Sequence, residues 1–354
     1  MPLSPEIKEE IALQVIKTLY NQFKKFPEDI HNNRNAPFHE AFLSAFSDKL
    51  SNKISSIPVF ISLSSWLHGL NTSLGQSFFE NTAYFLCGGG KKEFTTTKKN
   101  TLKISEEQKI VIDELVLGLT NKTKEPSLQT ENTRIFAAVS EKNLVDSQDF
   151  TADVFYENHN EVVCVEIKTV NPNKGVFRTE KEKILRAKAA LKNKYPQKNI
   201  HYYLAFPFDP LSNEPCGYDK HRFMKSNVGF TQFFDEEEVL LAGEFWDYLS
   251  GAKNTMREIL DIINRIATPN FESHFEFVNN VANRTNYQNC YSACLKWWHL
   301  RKEKQIMDKE KLILKSADKK THNYFNQSCF SGSGEYNEKR ANHLLNLNID
   351  SSLF

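Results

Sequence analysis

The feature that most constrains the fold is a pair of short apolar runs, DFTADVFYE (149–157) and EVVCVEIKTV (161–170). Apolar and polar side chains alternate along both runs, which is the two-residue period of β-strands. Asn158, His159 and Asn160 lie between them and suit a tight turn. The segment therefore predicts an antiparallel β-hairpin with a strongly apolar face, and such a hairpin needs a sheet with a buried side.

Helices are predicted on both sides of the hairpin. TSLGQSFFENTAYFLC (72–87) and SEEQKIVIDELVLGLTN (105–121) have helical periods, and Ser105 is placed to cap the second. After the hairpin, residues 178–195 predict a basic amphipathic helix and IHYYLAFPF (200–208) predicts a further strand. The predicted fold class is therefore α/β, with a mixed central sheet flanked by helices.

Three regions are predicted along the chain: an N-terminal helical region (1–66), an α/β core (67–235) and a C-terminal helical region with a polar tail (236–354). Within the core, RIFAAVS (134–140) predicts a short strand, and the polar residues 91–103 predict a loop. The chain of 354 residues is 40% hydrophobic, which allows a large core.

Composition narrows the class of protein. No run of about 18 apolar residues occurs, so no membrane span is predicted. The six cysteines are scattered, which favours a reducing cytoplasm over a disulfide scaffold. Cys290, Cys294, His299 and Cys329 fit no standard zinc spacing, so structural thiols are favoured over zinc ligands. The net charge of +1 does not by itself indicate nucleic acid.

The hairpin also carries charged residues that suggest a metal site. Glu166 and Lys168 share one face of their strand, and folding back around the turn brings Asp153 near Glu166. Two carboxylates and the carbonyl oxygen of Ile167 suit Mg²⁺, which prefers oxygen ligands. The lysine would then orient or help to deprotonate a metal-bound water. A surface ion pair is the more common meaning of an isolated Glu-x-Lys, but the hairpin and the following basic helix favour a catalytic role.

Glu80 is a second acidic candidate for the metal site. It lies in the mostly apolar helix SLGQSFFEN (73–81), where an unpaired buried charge is costly. A capping or surface role explains it equally well.

The pattern Asp153 followed by Glu166-Ile167-Lys168 resembles the signature of the PD-(D/E)xK nucleases, with Ala152 in place of the usual proline. A closer resemblance is to the TdeIII family of type II restriction endonucleases, over roughly residues 1–265. Its motifs are PFHEAF (37–42), SLGQSFFEN (73–81), EIKTVNPNKG (166–175), LRAKAA (185–190), YLAFPFDP (203–210) and EFWDYLSG (244–251).

This resemblance implies a PD-(D/E)xK core with helical additions at both ends. It also implies Mg²⁺-dependent cleavage of both strands of double-stranded DNA at a short GC-rich palindrome of the GGNCC kind. The catalytic residues would be Asp153, Glu166 and Lys168, with Ile167 and Glu80 as further metal ligands. Two cuts in a palindrome call for a homodimer. A cytoplasmic enzyme with a cognate DNA methyltransferase as its genetic partner is the expected setting.

DNA contacts are predicted in two segments. The first follows the catalytic strand, and the second is a predicted loop, GYDKHRFMKSN (217–227), whose cations suit guanine contacts. The residues concerned are Asn171, Asn173, Lys174 and Arg178 in the first segment, and Lys220, His221, Arg222 and Lys225 in the second. A surface loop that carries these cations by chance explains the second segment almost as well. Lys181, Lys188 and Lys192 are predicted to form a solvated helix face.

Two other functions remain open on the sequence alone. One is a repair or structure-specific nuclease of the same fold, and the other is a DNA-binding module that has lost cleavage. The presence of Asp153, Glu166 and Lys168 together speaks against the second.

Overall fold

The computed structural model describes residues 2–27, 56–140, 142–169, 174–315 and 318–347, with isolated positions between 39 and 53. The described residues form two compact units, one mainly from 79–258 and one from parts of 4–78 and 259–354. None of the described helices is long and apolar enough to cross a bilayer. The region boundaries placed at 66 and 235 stay a prediction.

The first unit contains a mixed five-stranded sheet. The strands of the described chain are β1 (Gly90–Phe94), β2 (Lys103–Ser105), β3 (Leu144–Asp146), β4 (Phe150–Glu157), β5 (Glu161–Ile167), β6 (Asn199–Phe206) and β7 (Val239–Leu241). The order in the sheet is β1-β4-β5-β6-β7, while β2 and β3 form a separate antiparallel pair. The β1–β4 and β4–β5 pairs are antiparallel, and the β5–β6 and β6–β7 pairs are parallel. The predicted mixed sheet flanked by helices is present.

Helices make up most of the rest. They are α1 (Pro5–Phe23), α2 (Ile57–Ser73), α3 (Glu80–Cys87), α4 (Glu106–Thr120), α5 (Leu128–Ala137), α6 (Lys174–Lys194), α7 (Lys220–Lys225), α8 (Val228–Phe233), α9 (Gly243–Ser250), α10 (Thr255–Ile266), α11 (Phe271–Asn279), α12 (Val281–Asn286), α13 (Gln288–Trp297), α14 (Arg301–Asp308), α15 (Glu310–Lys315), α16 (Lys319–Phe325) and α17 (Glu338–Leu345). Ser105 caps α4 as predicted, because its hydroxyl accepts the Gln108 N–H and the Gln108 side chain accepts the Ser105 N–H.

The predicted hairpin is β4–β5, and its turn is fixed by one asparagine. The Asn158 side-chain oxygen accepts the main-chain N–H groups of Asn160 and Glu161, both at 2.9 Å. Asn158 also donates its own N–H to the Glu161 carbonyl. These bonds satisfy the backbone of a three-residue turn locally, so the register of the hairpin does not depend on distant contacts.

Three secondary-structure predictions are wrong. RIFAAVS lies mostly in helix α5, whose cap Ser127 accepts the Thr130 N–H. The loop predicted over residues 91–103 is wrong in part: residues 91–94 belong to strand β1, which pairs with β4 despite its polar sequence, while residues 95–102 lie outside any strand or helix. The segment 217–227 contains helix α7, capped by Asp219. The C-terminal helical region (236–354) extends to α17, whose last residue is Leu345.

Helix α6 connects β5 to the parallel strand β6 and packs against α4 and α5. The cluster at this contact consists of Ile104, Ile112, Leu115, Val116, Ile135, Leu185, Ala189 and Ala190. Parallel neighbours need such a crossover, and the helix covers one face of the sheet. It thereby brings the first turns of α6 close to the end of β5.

The prediction that Lys181 and Lys188 face solvent is wrong, since both are fully buried. The Lys181 ammonium lies 2.5 Å from Glu238 and 2.6 Å from Glu131, and Lys188 lies 3.0 Å from Glu238. Burial raises the pKa of Glu238, but the two lysines outweigh it and lower the pKa overall. Two acids and two lysines therefore form a closed ionic network between α5, α6 and the turn before β7.

The second unit contains α1, α2 and the C-terminal helices. Arg340 donates to Glu303 at 2.5 Å, and both residues are buried. Trp298 is fully buried and stacks on Phe271, whereas Trp297 is 54% exposed.

Two cations of α14 have acidic partners within the protein. Arg301 pairs with Glu6 at 3.0 Å, and Lys302 pairs with Glu10 and Glu338. These ion pairs hold α14 to α1 and α17, so a structural role accounts for both cations.

Replacing Lys181 with methionine should destabilise the protein by about 3–5 kcal/mol, because it leaves the buried Glu131 without its cation and Glu238 with only Lys188. The free energy of unfolding in urea measures this change. Lys109→Met is the matched control, since Lys109 is a half-exposed partner of Glu106 on α4 and should cost no more than about 1 kcal/mol. A Lys181→Met protein as stable as the control would contradict the network.

The second unit should lose stability as pH rises from about 4.5 to about 7. Burial raises the pKa of Glu9 from its usual value of 4.5 to about 7, although the Lys302 N–H donates to it at 2.6 Å. The folded protein then keeps a proton that the unfolded chain releases, so the contribution of Glu9 is full below pH 4.5 and lost above pH 7. The free energy of unfolding, measured in urea, should fall less steeply across this pH range for Glu9→Gln than for the wild type. Equal losses of this free energy in the two proteins would contradict a raised pKa for Glu9.

Candidate active site

The hairpin places the two predicted carboxylates side by side. Val154 pairs with Val165 in an antiparallel register, so the preceding residue of β4, Asp153, lies across from Glu166. The Ile167 N–H donates to Asp153 Oδ2 at 2.9 Å and holds this carboxylate against β5. The Asp153 and Glu166 side chains are 18% and 11% exposed, so both are accessible to a small ion while largely shielded from water.

Lys168 lies next to the carboxylates, as predicted. Its main-chain N–H donates to the Ala205 carbonyl at 2.8 Å, which extends the β5–β6 ladder to the end of the strand. Its ammonium lies 2.9 Å from Glu166 Oε1 and 3.0 Å from Glu180 Oε1. Burial lowers the pKa of Lys168, but Glu166 and Glu180 outweigh it and raise the pKa above its usual value. The side chain is therefore a cation at neutral pH.

Glu80 reaches the same edge of the sheet from α3. Tyr84 Oη donates to Glu80 Oε2 at 3.2 Å, one turn along the helix. Lys91 of β1 lies 3.5 Å from Glu80 Oε2 and 3.9 Å from Asp153 Oδ1. Lys91 thus contacts both Glu80 and Asp153 and links the two acids.

The carboxylates repel each other strongly enough to affect protonation. Burial, followed by repulsion from Glu166, raises the pKa of Asp153 to about 6, and Glu80 adds to the rise. The hydrogen bond from the Ile167 N–H and the charge of Lys91 act in the opposite direction. Negative charge is therefore concentrated at this point, which is the condition that a cation relieves.

The donor set fits a hard divalent ion. Asp153 and Glu166 supply carboxylate oxygens from adjacent strands, and Mg²⁺ is typically held by one or two carboxylates and water. In the described part of the chain, no three His, Cys, Asp or Glu side chains are grouped to hold a metal. The fit thus rests on this pair, and the roles of Glu80 and of the Ile167 carbonyl as additional ligands stay predictions.

Three residues at the site were missed by sequence reasoning. They are Lys91 on β1, and Glu180 and Lys183 on α6. The sequence predicts a loop around Lys91 and a basic amphipathic helix around Glu180 and Lys183, and neither prediction places these side chains at the metal site. The spacing of three residues between Glu180 and Lys183 places them on one helix face, a signal that the sequence did contain.

The predicted DNA contacts after β5 are only partly described. Asn171 and Asn173 lie outside the described residues. Lys174 begins α6, but its side chain also lies outside the described part. Arg178 is exposed on the first turns of α6. The DNA contacts assigned to these four residues stay predictions.

Most predicted contacts of the second segment have acidic partners. Lys220 lies 2.7 Å from Glu244, and His221 lies 2.8 Å from Glu236. Arg222, which is 48% exposed, bonds the buried Asp209 at 3.2 Å. Lys225 is exposed at the end of α7. These ion pairs orient the cations of α7, and their contact with DNA stays a prediction.

Comparison with known proteins places the chain among restriction enzymes. A family model described as "Type II restriction endonuclease, HinfI" matches residues 3–267. The type II restriction enzyme MjaII of Methanocaldococcus jannaschii is 39% identical over 369 aligned positions, which cover 98% of this chain and 98% of that protein. No solved structure matches the chain.

Proposed function

The chain belongs to the HinfI family of type II restriction endonucleases, and we propose that it cuts DNA with Asp153, Glu166 and Lys168. It is thus a site-specific deoxyribonuclease. The observation that carries the assignment of residues is the hydrogen bond from the Ile167 N–H to Asp153, which fixes the aspartate beside Glu166. A PD-(D/E)xK core is part of this proposal and is supported by the mixed sheet and the order of these three residues.

Asp153 and Glu166 would hold the Mg²⁺ ion. When bound, the ion supplies Lewis-acid stabilisation of phosphate charge and lowers the pKa of coordinated water. The two carboxylates would hold the ion in a defined place, because the paired backbones of β4 and β5 set the two residues side by side.

Lys168 acts in this proposal as a cation. Its raised pKa keeps the ammonium charged, so it is suited to bind an anionic phosphate oxygen or orient the attacking water. Its contacts with Glu166 and Glu180 aim the ammonium at the same edge of the sheet as the carboxylates.

The substrate proposed is double-stranded DNA with a short GC-rich palindrome of the GGNCC kind. The resemblance to the TdeIII motifs supports this choice of bases. A palindrome cut on both strands supports a homodimer, and a cognate methyltransferase and a cytoplasmic location follow from the same reading. Arg178 and Lys225, both exposed, are the proposed DNA contacts with the clearest access to phosphates or bases.

Wild-type protein with Mg²⁺ should give discrete bands from a sequenced plasmid, with ends that map to one palindrome. Asp153→Asn should abolish cleavage, and Lys168→Ala should slow it by about 10²–10⁴-fold, because the first removes a ligand and the second a charge-stabilising donor. Both variants should still bind DNA in Ca²⁺.

Asp113→Asn and Lys109→Ala, both on α4, are the matched controls and should cut normally, since they pair with other residues at the surface. Normal cutting by Asp153→Asn would refute the assignment. Structure-dependent cuts would favour a repair nuclease, and binding without cuts by the wild type would favour a non-cleaving module.

Glu80→Gln should raise the Mg²⁺ concentration needed for half-maximal cleavage by several-fold if Glu80 is a ligand. Tyr84→Phe removes only the hydroxyl that donates to Glu80 and should have a smaller effect in the same direction. The measurement is the cleavage rate across a Mg²⁺ titration. An unchanged metal requirement in Glu80→Gln would restrict the ligands to the hairpin.

A further inference from the structure

Four charged side chains form a closed ring at the end of β5. Lys168 lies 2.9 Å from Glu166 Oε1 and 3.0 Å from Glu180 Oε1. Lys183 lies 3.0 Å from Glu166 Oε2 and 2.7 Å from Glu180 Oε2. Each lysine therefore contacts both acids, and each acid has one lysine on each of its oxygens.

The ring has a direct consequence for Glu166. Both of its oxygens are engaged by ammonium groups, one from Lys168 and one from Lys183. A divalent ion shared with Asp153 must take at least one of these oxygens. Lys168 belongs to the same strand as Glu166, but Lys183 belongs to α6 and meets Glu166 only across the helix–sheet contact. Lys183 is thus the cation that an incoming ion would replace.

Glu180 has the opposite relation to the metal ligands. It lies on α6 and contacts both Lys168 and Lys183, the two lysines that also contact Glu166. When Glu166 turns to an ion, Glu180 remains a partner for both ammonium groups. Without it, Glu166 would be the only carboxylate of the ring left for two lysines.

We propose that Lys183 and Glu180 are positioning residues that set the affinity of the hairpin for its divalent ion. Lys183 neutralises Glu166 in the metal-free protein and competes with the ion. Glu180 retains Lys183 and Lys168 once the ion is bound, so that Lys168 stays aimed at the scissile phosphate. This inference rests on the proposed function, since it takes Asp153 and Glu166 as the metal ligands.

A purely structural ring, which only fastens α6 to the sheet, makes a different forecast. Removing either member would then lower the melting temperature by the same amount with and without metal, and would leave metal affinity unchanged. Competition instead predicts opposite changes in metal affinity. Removing Lys183 should raise the affinity, because Lys183 opposes the ion. Removing Glu180 should lower it, because Glu180 holds the two lysines that compete with the ion.

The test is Ca²⁺ binding, measured by calorimetry and by the rise in melting temperature, without DNA or cleavage. Lys183→Gln should melt lower than wild type in metal-free buffer but bind Ca²⁺ about tenfold more tightly, the effect of one partly buried charge contact. Glu180→Gln should bind Ca²⁺ several-fold more weakly. Lys183→Arg keeps the competing cation and should bind Ca²⁺ like wild type. If Lys183→Gln does not fold, the weaker binding of Glu180→Gln carries the test, and unchanged affinity in that variant overturns the inference.

Glu182→Gln is the matched control on α6, because Glu182 pairs with Arg186 rather than with the ring, and it should leave Ca²⁺ affinity unchanged. Unchanged affinity in both Lys183→Gln and Glu180→Gln, or shifts of the same sign, would overturn this inference alone. If Asp153→Asn binds Ca²⁺ as tightly as the wild type, the ion lies elsewhere, and the proposed active site fails together with the inference.

Discussion

The register of one antiparallel strand pair sets the geometry of the candidate active site. Val154 and Val165 are both fully buried, and their pairing fixes which residues meet at the end of the hairpin. Asp153 and Glu166 repel each other there, so the apolar side of the hairpin must hold them together against their charge. Burial of the valines on one side of the two strands thus holds the two negatively charged side chains together on the other side.

The sequence contained enough information to predict the hairpin but not its surroundings. Alternation along β4 and β5 is a local signal, and so is the capping of α4 by Ser105, because neighbouring residues decide both. Strand β1 is different, since its polar residues become a strand only when β4 offers an edge. Lys91 was missed for this reason, as tertiary pairing overrode a loop-like composition.

The buried lysines of α6 show the same limit in another form. A lysine at helical spacing usually marks a solvated face, and nothing near Lys181 and Lys188 in sequence signals their acidic partners. Those partners, Glu131 and Glu238, lie about 50 residues away in either direction. Pairs of this kind are found only when the fold is known. The same helix carries Glu180 and Lys183 toward β5, so its ionic network and the candidate site share one rigid support.

The local closure of the hairpin has a consequence for how the chain can change during evolution. Twelve residues lie between the two acids, and the turn bonds through Asn158 need no distant partner. Growth of the turn would leave both acids facing each other. A single added residue within either strand would rotate one of them to the opposite side of the sheet, since side chains alternate there. Insertions in this turn are therefore compatible with the paired acids, whereas insertions within the two strands that frame them are not.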